Sequence, residues 1–158
     1  MGKTSETFSF EYLQEIYKEE KSVLEELSIL EELKTIQIIY ILIEKKFVKT
    51  VHNVSSNGLL VSLIEACVSD RFGFDITTDA EIRTDVFLYS NSAGRFIISV
   101  SPDIVDDFID FMAGNQFSFT TLGHVTKEEL RVDDISYGFI NDVRKIYLKS
   151  LEQKFNNN

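Results

Sequence analysis

Positive charge is scarce in this chain. Lysine and arginine number 16 against 26 aspartates and glutamates, for a formal net charge of −10. A binder of nucleic-acid backbone draws its affinity mainly from Lys and Arg, so that class is excluded. A small nucleotide is not excluded, because a local nest of N–H groups is enough to hold its phosphates. Cysteine occurs once, as Cys67, which rules out an internal disulfide. Cys67 sits in an apolar helical pattern and reads as a buried structural thiol. Histidine occurs twice, as His52 and His124. With Cys67 they give no zinc-ligand spacing, and no metal site is expected. Long apolar runs are also missing. The most apolar stretch, Ile36–Ile43 (IQIIYILI), is followed directly by Glu44, Lys45 and Lys46. It is far short of the roughly 18–20 residues a membrane span needs. Residues 1–12 are polar and lack the apolar region of a signal peptide. The expected setting is cytoplasmic, with no membrane and no nucleic acid as partner.

What is present is a globular composition. Apolar residues make up 44% of 158, enough for one domain with a sizeable core. Residues 1–8 form a polar leader expected to fray, and the Asn-rich end is expected to be disordered. From Phe10, with Ser9 as a candidate cap, to about Phe47 the chain has no Gly or Pro and is rich in Glu, Lys, Leu and Ile. Leu24, Leu27, Leu30, Leu33, Ile36 and Tyr40 recur at three- and four-residue steps, the period of one helix face. A single helix of that length is unusual, so a break is expected at Lys21–Ser22 or Lys34–Thr35. The Glu/Lys alternation from Glu19 to Lys34 reads as a solvated face or as a coiled-coil partner surface.

Beyond Phe47 the pattern shortens. Val48–Val54 reads as a strand, Asn57–Gly58 as a turn, and Leu59–Val68 as a helix with Leu59, Leu60, Leu63, Ile64 and Cys67 inward. Phe74–Thr77 and Val86–Tyr89 read as strands separated by a polar loop with one helical turn. Ser90–Gly94 is a turn and Arg95–Val100 a buried strand. Ser101-Pro-Asp predicts a helix start, with Ile104, Val105, Phe108, Ile109 and Met112 inward and a stop at Gly114. Gly123–Thr126 is a strand, and Glu129–Ser136 is a hairpin arm bending near Asp133–Asp134. Ile140–Phe155 is a closing amphipathic helix. Single strands separated by helices predict an α/β or α+β sandwich, with helices packed on a mixed sheet. Residues 1–34 are expected as a helical N-terminal extension, 35–155 as the α/β domain and 156–158 as a disordered tail.

Each candidate residue carries two readings. Ser55–Gly58 is either a phosphate-binding helix N-terminus or a plain cap by Ser55 or Asn57. Arg95 contacts a phosphate or bridges Asp75, Asp79 or Glu81. His52 lacks an adjacent orienting acid and His124 lies beside a strand, so both read as hydrogen-bonding residues. The pairs Asp106–Asp107 and Asp133–Asp134 are adjacent and not convergent, which suits solvent or a turn. Thr126-Lys-Glu-Glu129 has the form of a capping box.

Three stretches in order carry a family resemblance. His52-Asn-Val-Ser-Ser-Asn-Gly-Leu59 resembles an HDVSDGGL loop. Phe87-Leu-Tyr-Ser-Asn-Ser-Ala-Gly-Arg95, with the strand after it, resembles FLFGESQSR. Thr121-Leu-Gly-His-Val-Thr126 with Leu130–Asp134 resembles a GxVT strand and its hairpin, and Gly73–Arg83 fits the connecting segment. Over residues 36 to 152 the chain thus resembles the C-terminal domain of phosphoribosylformylglycinamidine synthase, in the aminoimidazole ribonucleotide synthase superfamily. The resemblance implies that superfamily's C-terminal fold. It also implies an ATP- and magnesium-dependent C–N ligase of purine biosynthesis, converting formylglycinamide ribonucleotide to the amidine. Ser55, Asn57, Gly58, Ser92 and Arg95 keep the family's pattern or its turn geometry and are the candidate nucleotide-binding residues. Asn53 and Ser56 stand where the family has aspartates, Asn57 where it has a glycine, and Asn91 where it has a glutamate. Those losses remove the charge that holds magnesium. The expectation is a domain or relic of that ligase that does not catalyse alone and has no catalytic residue of its own. Its partners would be the rest of the synthase or a second copy. The alternative is a non-catalytic interaction and oligomerisation module.

Overall fold

The computed structural model describes residues 29–55, 57–90 and 94–156, with side chains as far as Lys149. The expected cap at Ser9, the break at Lys21–Ser22, the candidate Ser92 and the end of the Asn tail lie outside the described residues. The elements run α1 (Ile29–Glu44), β1 (Thr50–Asn53), α2 (Leu59–Val68), β2 (Gly73–Ile76), α3 (Thr84–Tyr89) and β3 (Phe96–Ser99). A 3-10 turn at Pro102–Ile104 then leads to α4 (Val105–Gly114), β4 (Gly123–Thr126), β5 (Glu129–Val132), β6 (Ile135–Phe139) and α5 (Ile140–Asn156). Helices with mixed and antiparallel sheets make this an α+β fold, as the spacing of elements predicts. The chain divides into two compact units, one of residues 1–62 and 82–121, the other of 63–81 and 122–158.

In the first unit, α1 does not break at Lys34–Thr35. Thr35 is buried, and its Oγ1 donates to the Glu31 carbonyl at 2.9 Å. The hydroxyl is thereby satisfied inside the helix without disturbing the ladder. The helix closes where Lys46 turns to φ 59. Lys46 N–H then donates to Ile43 and Phe47 N–H to Leu42, at 3.0 and 2.9 Å. This is a Schellman closure. Helix α4 ends the same way, with Gln116 at φ 54 and Phe117 N–H on the Met112 carbonyl at 3.0 Å. Each closure delivers a phenylalanine to the core. That core is Ile38, Ile39 and Leu42 of α1 against Phe108 and Met112 of α4, with Phe47, Val51, Phe96 and Phe117 among its partly buried surround. Strands β1 and β3 form an antiparallel pair, from Thr50 opposite Ser99 to Asn53 opposite Phe96.

The second unit holds a four-stranded sheet in the order β4-β2-β5-β6. Strand β2 pairs antiparallel with β4 and parallel with β5, and β5 pairs antiparallel with β6. Phe74, Ile76, Leu130 and Val132 alternate inward and are buried. Asp133 and Asp134 both take positive φ, 51° and 64°, as a two-residue hairpin turn requires. Thr78 fixes that turn by donating its N–H and its hydroxyl to the Asp133 carboxylate, each at 2.7 Å.

Three local readings need correction. Val86–Tyr89 is not a strand but part of α3, with Val86, Phe87 and Leu88 buried. A short apolar run fits either element, and here Phe87 N–H donates to the Arg83 carbonyl and Ser90 N–H to the Val86 carbonyl, at 2.9 and 3.0 Å, the i to i−4 bonds of a helix. Thr126–Glu129 caps no helix. Thr126 Oγ1 donates to the Glu129 carbonyl at 2.6 Å and closes the bend between β4 and β5. The start at Ser101 leads first into the 3-10 turn, and the Ser101 hydroxyl bonds to Asp103 and caps no backbone N–H.

Candidate functional site

The site is built in the first unit from the turn after β1 and the segment before β3. Past the end of β1, Val54 N–H donates to the Arg95 carbonyl at 2.9 Å. This extra rung sets Ser55 beside the segment that carries Arg95. The chain then reverses. Gly58 N–H donates to the Ser55 carbonyl at 3.1 Å, and Asn57 N–H reaches Ser55 Oγ at 3.4 Å. Gly58 stands at the helix cap, its carbonyl accepting Ser62 N–H at 3.2 Å.

Ser62 holds the turn, and sequence reasoning missed it. It is fully buried. Its Oγ accepts the Ser55 N–H at 2.8 Å and donates to the Gly58 carbonyl at 2.9 Å, with Ser55 Oγ 3.2 Å away. The available signal was one hydroxyl within the apolar run Leu59–Ile64. The inward set is Leu59, Ser62, Leu63 and Val68, with Leu60, Ile64 and Cys67 only half-buried.

Gly58 brings the two motifs together. Its φ is +88, and a Cβ placed on it would lie 2.6 Å from Tyr89 Cα and 2.7 Å from the Leu88 carbonyl oxygen. No side chain fits between these backbones. The Ser55–Gly58 turn therefore rests on the end of α3, where Ser90 follows. Ser90 is fully buried, and Arg95 is only 5% exposed. Arg95 Nη1 donates to Ser90 Oγ at 3.0 Å.

Arg95 is the electrostatic centre of this corner. Burial pulls its guanidinium below the ordinary arginine value, yet arginine stays charged at neutral pH. The expected bridge to Asp75, Asp79 or Glu81 is replaced by the bond to Ser90, and Asp75 instead faces Arg131 at 3.7 Å. Among the described residues Arg95 forms no ion pair. A buried cation without a counter-charge is costly. Guanidinium and serine hydroxyls are the donor set for phosphate.

The same donor set does not suit magnesium, which needs carboxylate oxygens. Asn53, Asn57 and Ser90 supply none, and no group of three or more His, Cys, Asp or Glu able to hold a metal exists among the described residues. His52 pairs with Ile97 across β1 and β3, while His124 is exposed on β4 opposite Asp75. Structure thus gathers Ser55, Asn57, Gly58 and Arg95 of the predicted set and adds Ser62 and Ser90.

Comparison with known proteins shows the family. Residues 4–135 match the family described as AIR synthase related protein, C-terminal domain. Phosphoribosylformylglycinamidine synthase subunit PurL of Leuconostoc mesenteroides is 31% identical over 125 residues, covering 76% of this chain and 16% of its own length. The subunits of the same name from Alkaliphilus metalliredigens and Petrotoga mobilis are 26% and 31% identical, covering 84% and 71% of this chain and 18% and 15% of theirs. The chain thus spans less than a fifth of the length of the curated relatives it matches. With its two loop motifs set side by side and most of its length inside the match, the chain belongs to the C-terminal domain family of AIR synthase related proteins.

Proposed function

We propose that this chain acts as the C-terminal domain component of a phosphoribosylformylglycinamidine synthase assembly in the cytoplasm, and that it contributes a phosphate-binding corner to that ligase. The observation that carries the reading is Arg95, a buried guanidinium with no acidic partner among the described residues, beside a helix-opening turn.

The reaction activates an amide oxygen by phosphoryl transfer from ATP, and ammonia then displaces the phosphate. Charge gathers on phosphoryl oxygens, and fixed donors are what the protein supplies. In this chain Arg95 offers the cation and Ser90 orients it. Ser62 holds the Ser55–Gly58 turn rigid, so that the opening N–H groups of α2 face one direction. The turn's own N–H groups at Ser55 and Gly58 are already bonded within it, so anion recognition rests on Arg95 and the first turn of α2. Magnesium ligands and the remaining substrate contacts fall to the rest of the assembly. The chain alone therefore does not catalyse.

Differential scanning of the whole chain with ATP, ADP or pyrophosphate, with and without magnesium, tests the corner. Ligand at 100 times its Kd stabilises by about 2.7 kcal/mol. The expected result is a rise of several degrees that vanishes in Arg95→Met and survives in part in Arg95→Lys. A flat response at millimolar ligand sinks the site. Conversion of formylglycinamide ribonucleotide by the chain with ammonia and ATP would show that it is itself the catalyst.

A further inference from the structure

Helix α1 is apolar on two faces. One carries Thr35, Ile38, Ile39 and Leu42 into the core. The other carries Ile29, Leu33, Ile36, Tyr40 and Ile43, each between 47% and 68% exposed. At about 100° per residue this second stripe lies roughly a third of a turn from the first. Its steps of four, three, four and three residues average about 3.5, the repeat of a helix seam that meets another helix. A solvated face would not hold that spacing with five large apolar side chains.

Charge selects the occupant. The first turn of α1 carries Glu31 and Glu32, and its last turn carries no basic residue. Glu44 closes the helix and Lys45 and Lys46 follow it, a net charge of +1, while Glu31, Glu32 and Lys34 give the other end a net charge of −1. Two such helices side by side in the same direction set acid against acid and base against base. Reversed, each acidic end lies toward the other's basic end, and the helix dipoles oppose as well. Reversal about Ile36 brings Ile29 to Ile43 and Ile36 to its own copy, and leaves Leu33 and Tyr40 one residue out of register, about 1.5 Å along the axis. That is the self-complementary pattern of a two-fold dimer.

We propose that α1 pairs antiparallel with α1 of a second copy of this chain, with Ile36 on the two-fold axis. The five side chains offer roughly 500 Å² per copy, which places the contact with small, micromolar interfaces. This pairing is independent of the Arg95 corner, which uses other residues.

The test is sedimentation velocity on the full chain across roughly 1–200 µM, the range over which a small interface forms. The expected result is a monomer–dimer equilibrium weakened at least about 100-fold by Leu33→Glu. Tyr40→Ser serves as a milder second variant, and far-UV dichroism should be unchanged in both. Orientation is read by disulfide linking in a Cys67→Ser background. Ile36→Cys should link to itself, and Ile29→Cys should link to Ile43→Cys but not to itself. A monomer throughout, association indifferent to Leu33→Glu and Tyr40→Ser, or self-linking of Ile29→Cys would each overturn the proposal.

Discussion

Gly58→Ala measures the contact that joins the two loop motifs. Two costs add at this position. Alanine at φ +88 loses on the order of 1–2 kcal/mol relative to an ordinary backbone. Its Cβ would then stand 2.6 Å from Tyr89 Cα and 2.7 Å from the Leu88 oxygen. Both are backbone atoms, so relief requires moving α3 or the turn, at about 1–3 kcal/mol. The lower entropy of the unfolded alanine chain returns about 0.4–1 kcal/mol. The net loss is about 3 kcal/mol. Two other glycines separate the contributions. Gly138 has φ +96 and no atom within 4 Å of a built Cβ, so Gly138→Ala should cost only the backbone part, about 1 kcal/mol. Gly114 ends α4 with open space and no positive φ, so Gly114→Ala should be neutral or stabilising by up to about 1 kcal/mol. Urea unfolding followed by dichroism reads all three. With a slope of about 2 kcal/mol/M, Gly58→Ala lowers the midpoint by about 1.5 M. If Gly58→Ala costs no more than Gly138→Ala, the close approach of turn and helix end is refuted.

Ser62→Ala leaves the part-buried Ser55 N–H without its acceptor and should cost about 1–2 kcal/mol, with faster amide exchange at Ser55 read by NMR. Asp85→Asn tests the pair with Arg83, whose hydrogen bond holds the Asp85 carboxyl below its ordinary 3.8. A depressed carboxyl stabilises the fold above the unfolded value and loses that contribution as pH falls through the folded one. The substitution should therefore cost under about 1 kcal/mol at neutral pH and progressively less as the solution is acidified below the ordinary carboxyl value, in parallel urea titrations. Burial pushes the Cys67 thiol above its ordinary 9.0, so alkylation by iodoacetamide at pH 8 should run well behind that of a free thiol and recover on unfolding.

Local chemistry made much of the architecture legible. The run Leu59–Val68 fixes α2 at both ends, because a polar turn with glycine precedes it and its apolar period stops there. Asp133–Asp134 reads as a turn for the same local reason. The misreadings have a different origin. Val86–Tyr89 is too short for its period to separate strand from helix. Arg95 looked bound for Asp75, but β2 and β5 run side by side and give Asp75 to Arg131. Sheet pairing over that sequence distance is not written in either residue. Ser62 was invisible because its role depends on a turn folding back over it. Residue identity named the candidate residues, and long-range geometry assigned their hydrogen-bond partners.

The division into two units has a consequence for how the chain is made. The first unit takes residues 1–62 and 82–121, and the second takes 63–81 and 122–158. Each is assembled from two separated stretches, so no single peptide bond divides them. During synthesis the first unit waits for α4 to supply Phe108 and Met112. Strand β2 emerges long before β5, its parallel neighbour. Until then it exposes Phe74 and Ile76 on an unpaired edge, which makes the half-finished chain the form most open to aggregation.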